Sequence, residues 1–285
     1  MFPVYNFLDS VSILNNLIKS NKPVLIGKIG SAELQMMYAY LHAQHHKTSP
    51  SWGARLERDI DVVAGVFPRS EQSRIDFCNY YVKCLPNADA LAPWNDGLID
   101  FEKKLIKSNN YNCELVDLCA LEPFYSGSPW SKHLKGKNVL VISCFEESIQ
   151  YQYKNKNKIW SNTDILPEFK LITIKHPSSK SISDNNPFNT WKDMVDNVLE
   201  QMSKINYDVL LVGAGAASIP YANFAKQNGK QGIHLGGGLQ ILFGIKGARW
   251  DNMDKINCFF NEYWTRPQPH EIPTKHKEAE NGCYW

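Results

Sequence analysis

The chain has 285 residues, 43% of them hydrophobic, enough for one large α/β domain with a substantial core. Its formal charge of +2 is spread over interleaved lysines and acids, so no basic block marks a nucleic-acid partner. Seven cysteines form no CxxC pair, and an odd count does not suggest a complete disulfide framework, so free thiols in a reducing, cytoplasmic setting are expected.

The opening stretch, "MFPVYNFLDSVSILNNLIKS", lacks a basic leader followed by an unbroken apolar run, and no later segment reaches the roughly 18 apolar residues of a membrane span. Phe7, Leu8, Val11, Leu14, Leu17 and Ile18 recur at helical spacing, which predicts an amphipathic helix packed on the domain and suited to a homodimer. The strand-like run "PVLIG" follows. After it come Gly27, Lys28 and Gly30, then Ser31, placed to cap the next helix, and Glu33 in that helix's first turn. Residues from about 31 to 110 read as helix after helix (32–41, 55–66, 71–84 and 98–108), a helical insert beside or over a sheet. His42, His45 and His46 have a spacing that can bind zinc, yet no nearby acid or cysteine completes a set, and a solvated helix end is the reading taken.

Farther along, "NVLVIS" ending at Ser143, "KLITI", "DVLLVG" ending at Gly213 and "GIHLG" are apolar runs bounded by turn residues, the pattern of buried parallel strands. Between them, Trp191, Met194, Val195, Val198, Leu199, Met202 and Ile205 mark one face of a helix over 190–205. Strands alternating with helices imply an α/β fold, a mostly parallel sheet flanked by helices in the Rossmann-like manner, as one domain over 1–264. The tail, 265–285, is rich in proline and charge and reads as an extended arm docked by Tyr284 and Trp285.

Ligands of open α/β sheets bind where strand carboxyl ends meet helix amino termini. Two such loops follow one another here: Gly213-Ala-Gly215, and the run Gly236, Gly237 and Gly238, with His234 just before it. Three successive glycines suggest close approach of a ligand's phosphate or sugar, although tight turns would also use them. Lys246 and Arg249, just downstream, could neutralise a diphosphate or simply complement a helix end. Gly213-x-Gly215-x-x-Ser218 nearly matches a dinucleotide fingerprint, but Ser218 replaces the third glycine and His234 stands where an acid for the ribose is wanted. In the middle of the chain, "APWNDG" and "LEPFYSGSPW" gather Trp94, Asp96, Glu122, Tyr125 and Trp130. Asp96 is the first choice of general base and Glu122 the second; Trp94, Tyr125, Trp130 and His176 are candidate acceptor contacts, with simple packing as the competing reading of the tryptophans.

"VLIGKIGSAELQMM" resembles the RxGDGE element that opens bacterial glycosyltransferases of the GT-D type, and "DVLLVGAGAASIPYANFAKQNGKQGIHLGGG" is similar in plan to their carboxy-terminal part. The resemblance implies a transferase moving a sugar from a nucleotide-sugar donor, UDP-linked in the first instance, to a glycan or glycoconjugate. By position, Lys28 stands for the family's arginine, Gly30 for its first glycine and Glu33 for its glutamate, while Ser31 replaces the aspartate. Glu33 therefore joins the catalytic candidates and is the one candidate metal ligand; serine is a poor partner for Mn²⁺ or Mg²⁺, which leaves metal dependence open. Gly27, Lys28, Gly30, Ser31, Ser143, Gly213, Gly215, His234, Gly236, Gly237, Gly238, Lys246 and Arg249 are the expected donor-binding positions. A dinucleotide- or S-adenosylmethionine-dependent enzyme and a non-catalytic carbohydrate- or nucleotide-binding module are the alternatives.

Overall fold

The computed structural model describes residues 4–95, 97–108, 113–179 and 181–285. Seven parallel strands form one sheet: β1 (Val24–Gly27), β2 (Ala90–Leu91), β3 (Glu114–Leu115), β4 (Asn138–Ser143), β5 (Lys170–Lys175), β6 (Val209–Gly213) and β7 (Gln231–His234), in the spatial order β3-β2-β1-β7-β6-β4-β5. Each strand of the centre is apolar on both faces because helices cover both. In β4, Val139 and Val141 point to one layer and Leu140 and Ile142 to the other, all buried.

One layer is built from the helices Ser31–His46, Glu71–Cys84, Trp191–Ser203 and Ser218–Gln227; the other contains Phe7–Lys19, Glu146–Lys154 and Gly237–Leu242. The helix after 190 forms as its pattern predicts: Thr190 and Asp193 make a reciprocal capping box, and Trp191, Met194, Val195, Val198 and Met202 are buried. Phe7–Lys19 is amphipathic and capped by Asn6, whose side chain accepts from the Asp9 amide, although Leu8 of its expected apolar face is exposed.

The region expected to be helix after helix, about 31–110, contributes β2, and β3 follows just beyond it; the two extend the sheet at one edge. They are only two residues long, too short to show a period. The helix expected over 55–66 is instead Ala54–Arg58 followed by a wide π-type turn, Asp59–Val63, before Gly65 at φ +86° ends it. After β1, the helix begins at Ser31 with Gly30 as its N-cap, so Ser31 is not the cap; Gly30 supplies no side-chain capping bond.

The helices that follow β1 and β6 lie in one layer, and the helix that follows β7, between them, lies in the other. Chain leaving neighbouring strands in opposite directions opens a crevice at their carboxyl ends, on both sides of β7.

Among the described residues, no helix is long and apolar enough to cross a membrane.

Candidate functional site

Lys28 leaves the end of β1 and donates to Glu122 across 3.2 Å; the two side chains are 15% and 14% exposed, an ion pair at the mouth of the crevice rather than on open surface. Glu122 reaches this point from the turn that follows the short helix Leu118–Leu121. On the other wall, His234 ends β7 and is buried. Burial and the neighbouring Lys28 charge push its pKa down to about 3, so the ring is neutral. Its Nδ1 lies 3.2 Å from the Gly236 amide and 3.4 Å from the Val212 carbonyl, which fix the ring's orientation.

The three glycines each face a different side chain of the protein. A methyl group on Gly236, which sits at φ +56°, would lie 3.4 Å from Lys28 Cε; one on Gly237 would lie 3.0 Å from Trp250 and 3.4 Å from Tyr284; one on Gly238 would lie 3.0 Å from Glu122 Oε1. At Gly237 and Gly238 the approach is close, and it is made by the chain itself; at Gly236 it is ordinary contact. Only Gly236 also needs the left-handed backbone.

Glu33, in the first turn after β1, folds back over Gly30, where any side chain would collide with its carboxylate. Burial raises Glu33 to about 7, its own backbone amide holds it lower, and the charge of Glu280 adds to the rise. Glu280 comes from the carboxy-terminal arm, where it pairs with Arg249; Arg249 also donates to the Tyr284 hydroxyl at 3.0 Å and places its guanidinium 4.6 Å from that ring's centre. Lys28, Glu33, Glu122, His234, Arg249, Glu280 and Tyr284 therefore line one carboxyl edge. Glu280 carries no motif in the sequence. Its place at the site depends on the arm folding back to Arg249.

The remaining expected positions divide. Gly27 is held by β7, since a Cβ there would lie 2.9 Å from His234 Cβ, and Gly213 by the Gly236 carbonyl at 2.7 Å. Gly215 lies at φ +52° with the Ala64 carbonyl 2.6 Å from where a Cβ would stand, and Ala64 accepts from the Ala216 amide. Ser218 Oγ accepts from the Ala214 amide, closing the same loop. The would-be dinucleotide loop is filled by the chain, which removes the approach a pyrophosphate would need there. Ser143 is nearly buried and its hydroxyl is taken by the Phe145 amide. Lys246 lays its ammonium over the Phe260 ring, 5.2 Å from the centroid.

The four aromatic acceptor candidates are not brought together. Trp94 is 41% exposed and donates to the Ile29 carbonyl, with Asn95 donating to the same oxygen, so it stands on the rim beside Lys28. Trp130 is 1% exposed and donates to the Leu121 carbonyl; it is a core residue and cannot meet an acceptor. Tyr125 packs in an aromatic cluster with Phe124 and Phe259. His176 follows β5, five strand spacings from the end of β2 that carries Trp94, or roughly 24 Å. It is buried against Tyr221, which lowers its pKa to about 4. Asp96, the first choice of base, lies outside the described residues.

Among the described residues, no group of three or more His, Cys, Asp and Glu side chains is arranged to hold a metal ion. Ser31 is exposed and Glu280 is committed to Arg249, so the donor set around Glu33 does not fit a hard divalent cation. The His42 and His46 rings lie tilted at 47° with centroids 4.4 Å apart on the exposed end of their helix, with His45 edge-on to His46, and the three form no metal-binding group among the described residues.

Against known proteins, the chain matches no family model, no curated protein and no solved structure. The reading of the site therefore rests on its own geometry.

Proposed function

We propose that the chain is a glycosyltransferase that takes a sugar from a nucleotide-sugar donor, UDP-linked in the first instance, and delivers it to a hydroxyl of a glycan or glycoconjugate. The observation that carries this reading is that the segment after β1 brings to one carboxyl edge of a parallel sheet the Lys28 ammonium, paired with Glu122 and bordering Gly236, and the buried Glu33 carboxyl. The ammonium suits a diphosphate, and the Glu33 carboxyl titrates where a base works at neutral pH. The GT-D likeness of "GKIGSAE" supports a donor site at Lys28 and Glu33; the base role of Glu33 rests on its burial and raised pKa.

In the transfer, the bond between the sugar's anomeric carbon and the diphosphate oxygen breaks, and its electron pair leaves on the diphosphate. A new bond forms from the acceptor oxygen, whose proton goes to the base. Lys28 and Arg249 stabilise the departing charge. Glu33 takes the proton: Glu122 is committed to Lys28 as its counter-ion, whereas among the described residues no cation pairs with Glu33. Exposed Trp94 offers a ring face to a sugar at the rim.

Calorimetry with UDP, GDP, CMP, NAD and S-adenosylmethionine, each with and without Mn²⁺, tests the reading. One nucleoside diphosphate is expected to bind selectively, and Lys28→Met is expected to weaken it by at least roughly tenfold, the scale of a lost charge-assisted contact. Binding of NAD or S-adenosylmethionine with no response to the nucleotides would overturn it.

A further inference from the structure

After Trp264 the chain turns back over the sheet's carboxyl edge. Thr265 pairs with Ile245, Gln268 donates to Ser148 Oγ at 2.9 Å, and Lys275 donates to the Ile182 carbonyl at 3.0 Å. The last residues return to the site, where Cys283 accepts from the Arg249 amide at 2.8 Å and Tyr284 accepts from Gln240 at 2.7 Å.

The two halves of this strap are held very differently. Near its start, Glu271 is buried and accepts from the amides of Glu147 and Ser148, the Ser148 hydroxyl and the Gln268 amide. That is a full set of partners for a carboxylate and fixes the strap to the body. Beyond it, Lys275 and Glu278 stand over a groove of about 490 Å³ shared with Phe67, Pro68, Arg69 and Ser181, while Ala279 is buried against Val62 and Ile182. Distally, the partly exposed ion pair of Arg249 with Glu280 adds to the main-chain bonds that Cys283, Tyr284 and Trp285 accept from Arg249, Gln240 and Ala248. At that pair, Glu280, Asn281 and Gly282 all take left-handed backbone, at φ 48°, 56° and 78°. Of the three, Glu280 is the residue whose side chain disfavours it.

We propose that residues 276–285 are a built-in competitor for the candidate donor site: Glu280 occupies Arg249 and Tyr284 covers Gly237, and a diphosphate that takes Arg249 releases this stretch while Glu271 keeps the strap tethered. The inference rests on the reading of this edge as a diphosphate site. It assigns the arm a regulatory role, since closing the edge in the absence of donor keeps water and other nucleophiles from Lys28 and Glu33.

The test pairs hydrogen exchange of residues 276–285 with calorimetry, using inorganic pyrophosphate and UDP as probes on the full chain. In the native protein, either bound probe is expected to speed exchange across 276–285 at least tenfold and to leave residues around Glu271 unchanged. Glu280→Gln, at a partly exposed position, is expected to show that faster exchange without a probe and to bind pyrophosphate at least threefold more tightly. Binding with unaltered exchange, or equal affinity in Glu280→Gln, overturns the strap proposal. If UDP then binds more tightly than pyrophosphate, the donor reading survives that failure. Release of the strap by pyrophosphate, with UDP no tighter, upholds the strap and removes the nucleotide from the donor reading. Absence of binding by either probe, in the native chain and in Glu280→Gln alike, overturns both.

Discussion

Glu33 couples the chemistry of the site to the stability of the fold. A carboxyl raised from 4.5 to about 7 by burial binds its proton more tightly when folded. The stability it lends is complete below 4.5 and is lost as pH rises to about 7; the loss is on the order of 3 kcal/mol. Glu33→Gln lacks this titration. Its urea midpoint is expected to fall below or match the native value at pH 5 and exceed it at pH 8, while transfer slows by roughly a hundredfold and loses its rise through neutral pH. Glu102 makes a second, purely structural case. It is 0% exposed, neither carboxylate oxygen has a hydrogen-bond partner among the described residues, and burial raises it to about 8. Glu102→Met is expected to stabilise the protein by about 1–3 kcal/mol, with a gap that widens from pH 5 to pH 9 as the native carboxyl is forced to ionise. Thermal melts across that range check it. Lys28 and Glu33 could be picked out in the sequence because glycines and a strand surround them. Glu280 and the exact partner of Lys28 could not, since both depend on contacts between distant segments.

At the scale of elements, the close approaches are set by glycine more than by any ligand. Gly232 in β7 packs against the backbone of Ala222 in the helix Ser218–Gln227, leaving no room for a Cβ. Gly232→Ala must push strand and helix apart and is expected to cost about 1–3 kcal/mol, read from chemical denaturation. This packing is also why a triple glycine was ambiguous in the sequence: a backbone that must admit Trp250 and Glu122 has the same composition as one that must admit a phosphate. The five longer strands and the helix Trp191–Ser203 were legible because burial on two faces or one leaves a clear apolar pattern. β2 and β3 were not, because two residues have no periodicity and their place is decided by pairing with β1. The aromatic loops misled for a related reason. Trp94 and Trp130 occupy similar turn-rich sequence, and only the tertiary structure separates the rim from the core.

For the molecule as a whole, sheet stability is graded. β4 pairs with β5 over six residues and with β6 over five, whereas β1 pairs with β2, and β2 with β3, over two. Amide exchange is therefore expected to be slowest in β4 and β6 and fastest among the described strands at β2 and β3, a ranking that native-state exchange can measure. The order of strands has another consequence. β1 finds its inner neighbour in β7, more than 200 residues later, and the Val24 to Gln231 register cannot form before that stretch has been made. During synthesis the first half of the sheet must wait with an apolar edge open, so this chain depends on delayed closure and on whatever shields nascent strands from one another.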